Sequence, residues 1–198
     1  MLEGPLVFID VDTQRDFLEP AGALFVPGSE AIVANLARLT DFARRHGVPV
    51  LATACAHDED DAELDIFPPH CLVGTPGQAR VEATAWPGGV VLRPEARHAG
   101  DLPPHLTIEK REYDLFSHPE ADRLVAEYGR ADPTFVVYGV ATDYCVKAAV
   151  DGLLDRGRRV VLVVDAVWPI DVAREADLLT AFVARGASLA LTDLICEE

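Results

Sequence analysis

Apolar runs of four to six residues recur along the chain, separated by turns and by stretches whose apolar positions fall at helical spacing. Leu6–Val11 and the segments 48–53, 106–109, 134–138, 159–164 and 187–191 read as strands. Residues 30–45 place Ile32, Leu36, Leu39 and Phe42 on one helical face and meet a stop signal at Gly47. A second helix follows the fourth strand through about residue 155, and a third runs over about 172–185. Unbroken apolar strands are those buried on both faces, and their alternation with amphipathic helices marks a parallel sheet with helices on either side. The pattern therefore predicts an α/β protein, a three-layer α/β/α sandwich around a mostly parallel six-stranded sheet.

Residues 56–104 break the rhythm. They are rich in Pro, Gly and His, with a candidate short strand at Val90–Leu92. So long an irregular segment is usually functional or mobile, and it is expected to lie over the C-terminal strand edge, where open α/β sheets bind ligands.

The length of 198 residues suits one domain (1–198) that needs no staple to fold, and a 49% hydrophobic composition excludes disorder. A net charge of −16 argues against nucleic acid and against an anionic membrane surface as partners. No apolar run approaches a membrane span, and the first one leads straight into acidic residues rather than a signal-peptide cleavage site. A cytoplasmic protein is expected, with Cys55, Cys71, Cys145 and Cys196 as reduced thiols.

Three chemically distinctive residues follow predicted strands: Asp12 the first, Lys110 the third and Cys145 the fourth, where a helix opens. Parallel strands share a C-terminal edge, so these side chains can meet in one crevice. A thiol at a helix N-terminus near an ammonium ionises more readily than its usual pKa of ~8.5 allows. A carboxylate beside it can take the thiol proton and later return it to a departing amine. The turn 139–145 offers backbone N–H groups where an oxyanion would form. Taken singly, each residue has an ordinary structural alternative: a buried small apolar Cys, a turn Asp.

These residues resemble the isochorismatase-like cysteine hydrolases, and among them the nicotinamidases. The run Asp12-Thr13-Gln14-Arg15-Asp16-Phe17 resembles the family's strand-one motif, Glu109-Lys110 its lysine segment, and Gly139-Val140-Ala141-Thr142-Asp143-Tyr144-Cys145 its nucleophile turn. Phe67-Pro68-Pro69-His70-Cys71 followed by Gly74-Thr75-Pro76-Gly77 is similar to a nicotinamidase segment. The resemblance implies a cysteine nucleophile (Cys145), a general base and acid (Asp12, chosen over Asp10 because Gln14 and Asp16 stand at the right offsets) and a stabilising lysine (Lys110). It implies a cis peptide between Val140 and Ala141, with the N–H groups of Ala141 and Cys145 forming the oxyanion hole. Phe17, Phe67, Tyr113 and Phe116 are candidates to hold a flat substrate, and a homo-oligomer is expected.

Nicotinamidases also hold a divalent metal through an Asp-x-His pair and a later histidine. His57 and His70 match the two histidines, but Cys55 stands where the aspartate belongs. One reading makes Cys55 a ligand, which favours zinc. A carboxylate among Asp58, Asp60, Asp61, Glu63 and Asp65 is the second option, and a chain that binds no metal the third. No organic cofactor is expected.

The resulting expectation is an amidohydrolase working through a thioester, converting nicotinamide or a related small amide to acid and ammonia. One alternative is an amidase of the same superfamily acting on an N-carbamoyl or maleamate-type substrate. Another, of a different class, is a non-catalytic small-molecule binder or thiol redox sensor.

Overall fold

The computed structural model describes residues 4–197. Its centre is a sheet of seven strands: β1 (Leu6–Val11), β2 (Val50–Cys55), β3 (Val90–Leu92), β4 (His105–Lys110), β5 (Thr134–Val140), β6 (Arg159–Trp168) and β7 (Ser188–Ala190). Their order is β3-β4-β2-β1-β5-β6-β7, and neighbours pair in parallel throughout. The expected sheet had six strands. The seventh is β3, the short candidate at 90–92, which pairs with β4 at the sheet edge.

Alternation along β1 sorts the core into two layers. Val7, Ile9 and Val11 face a cluster with Leu124 of α3 (Ala121–Tyr128), Val146 and Leu153 of α4 (Cys145–Asp155) and Phe182 of α5 (Glu175–Ala184). Phe8 faces the opposite cluster, with Phe17 of α1 (Arg15–Leu18), Leu36, Leu39 and Phe42 of α2 (Val33–His46) and Ile195 of α6 (Thr192–Ile195).

Two differences from the sequence pattern have clear causes. Helix α3 was not anticipated: its eight residues are too few for a strong helical period, yet Ala121, Leu124 and Val125 form a buried stripe on the crossover from β4 to β5. Strand β6 runs to Trp168 rather than stopping near 164, because its far end pairs with Gly139 and Val140 beyond a register shift in β5. The irregular segment 56–104 holds three short 3-10 turns besides β3. No helix among the described residues is long and apolar enough to cross a membrane.

At the start of β4, His105 is buried and stacked on Trp86, with ring centroids 4.9 Å apart. Burial, reinforced by Arg80 and Arg44, pulls its pKa down to about 3. The unfolded chain binds a proton here below its ordinary pKa of ~6.5 and the folded chain does not. The stability His105 permits is thus complete above pH ~6.5 and is lost as pH falls from there towards the folded value of about 3. Between pH 6.5 and 5 the wild type should lose about 2 kcal/mol more than His105→Phe in urea unfolding. Equal losses in both proteins would show that His105 is not the sensitive group.

Candidate active site

The sheet order reverses direction between β1 and β5, and the crevice there opens at the C-terminal strand ends. Four central strands deliver one functional side chain each: Lys110 from the end of β4, Cys55 from the end of β2, Asp12 just after β1, and Cys145 at the first turn of α4 after β5. Cys55 and Lys110 are register partners, so their side chains leave the same face of the sheet.

Asp12 sits in the left-handed region at φ 47°, where an aspartate is among the better tolerated non-glycine residues. Its carboxylate accepts hydrogen bonds from Thr53 Oγ1 at 2.6 Å and from Lys110 Nζ at 2.8 Å. Lys110 Nζ also lies 3.4 Å from Cys55 Sγ and 3.8 Å from Cys145 Sγ. The structure thus brings Asp12, Lys110 and Cys145 together, with Cys55 as a fourth member. Asp10 goes elsewhere: it is paired with Arg80 and bonded to Thr13.

The rest of the strand-one motif holds the neighbouring backbone in place. Gln14 accepts from the Cys55 N–H at 2.7 Å and donates to the Cys55 carbonyl at 2.8 Å. Asp16 accepts from the backbone N–H groups of Ala23 at 2.9 Å and Cys71 at 2.6 Å. On the other side, the Val140–Ala141 peptide is cis. Gly139 precedes it at φ 118°, and a Cβ there would meet the Val11 carbonyl oxygen at 2.0 Å, so only glycine fits. Asp143 pins the turn by accepting from the N–H groups of Ile170 and Asp171, both at 3.0 Å.

Electrostatics in this dry site is collective. Burial raises the Asp12 carboxyl, Cys55 raises it further, and Lys110 only partly offsets them. Burial opposes charge on Lys110, but Asp12, Cys145 and Cys55 together hold its pKa well above the usual value. The interaction between the two neighbouring thiols lowers Cys55 and raises Cys145; burial raises both, and Lys110 lowers both. Such a pair loses one proton readily and keeps the second, and the charge belongs to the pair rather than to either sulfur.

Beside Cys55 lies a second cluster. The donor atoms of Cys55, His57, Glu63 and His70 are all within 4.8 Å of one another. Backbone bonds from the His57 N–H to the Cys71 carbonyl and from the Val73 N–H to the His57 carbonyl stitch the two histidine segments together. His57 Nδ1 is 3.2 Å from Asp61, and His70 Nδ1 is 2.8 Å from the Pro68 carbonyl. Those partners leave each Nε2 facing Glu63, at 3.9 and 3.8 Å. His57 Nε2 is buried without a hydrogen-bond partner among the described residues. A buried lone pair aimed into a Cys-His-His-Glu set, with the other ring nitrogen held by a carboxylate, fits a divalent metal. Of the nearby acidic residues, Glu63 is the one in this set.

Cys145 lines a narrow, partly open cavity of about 30 Å³. Phe17, Phe67 and Tyr113 line it. Phe116 does not: its ring lies under the Arg156 guanidinium, 3.4 Å from the ring centroid, and against Gly152. Tyr144, which the sequence reading passed over, takes a wall position, 5.3 Å from Phe67 and 6.4 Å from Tyr113 between ring centroids. Its place directly before Cys145 was the available signal.

The isochorismatase domain model matches residues 6–193. A nicotinamidase of Escherichia coli (strain K12) is 27% identical, the match covering 93% of this chain and 94% of that protein. The pyrazinamidase of Pyrococcus horikoshii, solved in complex with zinc, superposes with a TM-score of 0.77 at 27% identity, over 95% of this chain and 99% of that one. The N-carbamoylsarcosine amidase of Thermoplasma acidophilum superposes with a TM-score of 0.74 at 26% identity, over 96% and 98%.

Proposed function

The chain belongs to the isochorismatase family, and from that premise we propose that it is a nicotinamidase-like amidase, converting nicotinamide or a related flat small amide to the acid and ammonia. The observation that carries this reading is the Asp12–Lys110–Cys145 cluster opening onto an aromatic-walled cavity beside the Cys-His-His-Glu set.

In the proposed reaction Asp12 takes the Cys145 thiol proton, and the thiolate, held by the Lys110 ammonium, attacks the amide carbon. The oxyanion is met by the N–H groups of Ala141 and Cys145, at the start of α4. The carbon–nitrogen bond breaks and ammonia leaves with the proton from Asp12, giving a thioester. Water then passes a proton to Asp12, attacks the thioester and frees the acid. Phe17, Phe67, Tyr113 and Tyr144 sandwich the substrate and exclude bulk water.

Cys55, His57, His70 and Glu63 would hold a divalent ion, zinc by preference for a thiolate–imidazole set. When bound, it supplies a Lewis acid that can anchor a ring nitrogen or a water. Protein purified without a metal-affinity tag should carry about one equivalent of divalent metal, and His57→Ala less than about a tenth. Wild-type protein with less than about a tenth by elemental analysis has no stable site.

A second reading is favoured by one observation. Cys55 replaces the expected carboxylate and spends its contacts on Lys110 and Asp12, which suits an amidase with no ring nitrogen to anchor. Ammonia release over nicotinamide, pyrazinamide, N-carbamoylsarcosine and maleamate separates the two. Nicotinamide should lead, with kcat/KM of ~10⁴ M⁻¹s⁻¹ or more. A clear lead for an acyclic amide selects the second reading, and no ammonia from any of the four rejects both.

We place the protein in the cytoplasm and expect a homo-oligomer. Size-exclusion chromatography with light scattering reads the latter directly.

A further inference from the structure

The amide chemistry needs one cysteine, yet the site holds two. Cys55 Sγ and Cys145 Sγ lie within 4.8 Å of each other, both against the same Lys110 ammonium. Their exposure is unequal: Cys145 is 8% exposed and faces the cavity, whereas Cys55 is fully buried behind it. A disulfide needs the sulfurs ~2.05 Å apart, so at most about 2.7 Å of approach separates this pair from a bond. They come from the end of β2 and the start of α4, with 89 residues between them, so the link would close across the sheet's C-terminal edge.

We propose that Cys55 is the resolving cysteine of Cys145: a hydroperoxide reaching the cavity oxidises Cys145, and Cys55 captures it as a reversible intramolecular disulfide. In the first step the Cys145 thiolate attacks one peroxide oxygen. The O–O bond breaks, Cys145 becomes a sulfenic acid and the departing hydroxide (or alkoxide) is protonated. In the second step Cys55 sulfur attacks Cys145 sulfur; the S–O bond breaks and hydroxide leaves as water with the Cys55 proton. Two thiols and one hydrogen peroxide give one disulfide and two waters. A small-molecule dithiol reverses the change by thiol–disulfide exchange.

The order of events follows from access. The oxidant meets Cys145 first, and the buried Cys55 is positioned to intercept the sulfenic acid before a second peroxide carries it to the irreversible sulfinic acid. The same bond removes the Cys55 sulfur as a donor from the His57–Glu63–His70 set. Oxidation would therefore silence the nucleophile and weaken metal binding together. This goes beyond the amidase reading and does not depend on which amide is cleaved.

The test uses hydrogen peroxide at about one and at about five equivalents on the purified protein, with and without prior chelation, since the sulfinic acid consumes two peroxides and the disulfide only one. Denaturation with iodoacetamide, without reductant, follows, then intact mass and peptide mapping. Apart from the alkyl groups on Cys71 and Cys196, the expected product is about 2 Da lighter than the starting protein, leaves Cys55 and Cys145 unalkylated, yields a linked Cys55–Cys145 peptide pair and regains about 2 Da with dithiothreitol. The same link should form in a Cys71→Ala/Cys196→Ala variant. In Cys55→Ser, Cys145 should instead gain about 32 or 48 Da that dithiothreitol does not remove. The proposal is overturned if wild-type Cys145 reaches the sulfinic acid while Cys55 remains alkylatable in both the chelated and untreated protein. It is equally overturned if Cys145 links to Cys71. These readouts are masses, so an enzyme inactive on every amide tested would leave the outcome just as clear.

Discussion

Cys145→Ala should lower kcat/KM for the best amide substrate by about 10⁴-fold or more, to the level set by the remaining site. The side chain is small, opens α4 and touches Lys110 only at 3.8 Å. Its loss should therefore cost about 1 kcal/mol of stability or less, and the variant should stay folded. Binding should survive, because the aromatic walls are untouched, so the loss falls on kcat. Trapping supplies the complementary evidence: acid quenching during turnover should leave an acyl mass on the peptide containing Cys145. Activity within tenfold of wild type in Cys145→Ala would move the nucleophile elsewhere, and Cys55 would be the first place to look.

Lys110→Met should damage both activity and stability. The lysine is fully buried and its ammonium is the counter-charge for the Asp12 carboxylate, 2.8 Å away, and for whichever thiol is ionised. Removing it strands a buried carboxylate, a change that commonly costs 3–5 kcal/mol, although Asp12 can escape part of that by taking a proton. A protonated Asp12 cannot accept the thiol proton, and the thiolate loses its cation. Together these should reduce kcat/KM by about 10³-fold or more. A double-mutant cycle distinguishes the pair from its members. Asp12→Asn/Lys110→Met removes both charges and should be more stable in urea than Lys110→Met alone. If the double variant were less stable than either single, the ion pair would not be what the lysine serves.

The sequence pattern was sufficient for the architecture because parallel strands covered on both faces have no polar alternation to hide them. Strand-end placement showed only that Asp12, Lys110 and Cys145 could meet, and resemblance to the cysteine hydrolases singled them out; the structure brings the three side chains together. The pattern was less informative where placement depends on register or on loop paths. Ending β2 near Thr53 hid the fact that Cys55 lies opposite Lys110 in the sheet. Glu63 was one of five candidate carboxylates in an irregular acidic stretch, and nothing local distinguished it. It is set apart by the 3-10 turn Ala62–Asp65, which carries it between the two histidines. Phe116 looked like Tyr113 in sequence, but a second 3-10 turn, Leu115–Ser117, carries its ring to Arg156 and Gly152. Aromatic residues in turns serve core and cavity equally well, and only the turn geometry decides between them.

The four-strand origin of the site bears on how it comes into being. Asp12 and Lys110 stand 98 positions apart in the chain, Lys110 and Cys55 stand 55 apart, and Lys110 and Cys145 stand 35 apart. No hairpin or single β-α-β unit contains the whole set. Contacts this remote in sequence form only after the loop-closure entropy of the central strands has been met. During synthesis Cys145 emerges after Asp12 and Lys110, and the thiols stay ordinary until β4, β2, β1 and β5 are all in register. The surroundings of Cys145 are in this sense completed late in folding, once all four strands have met.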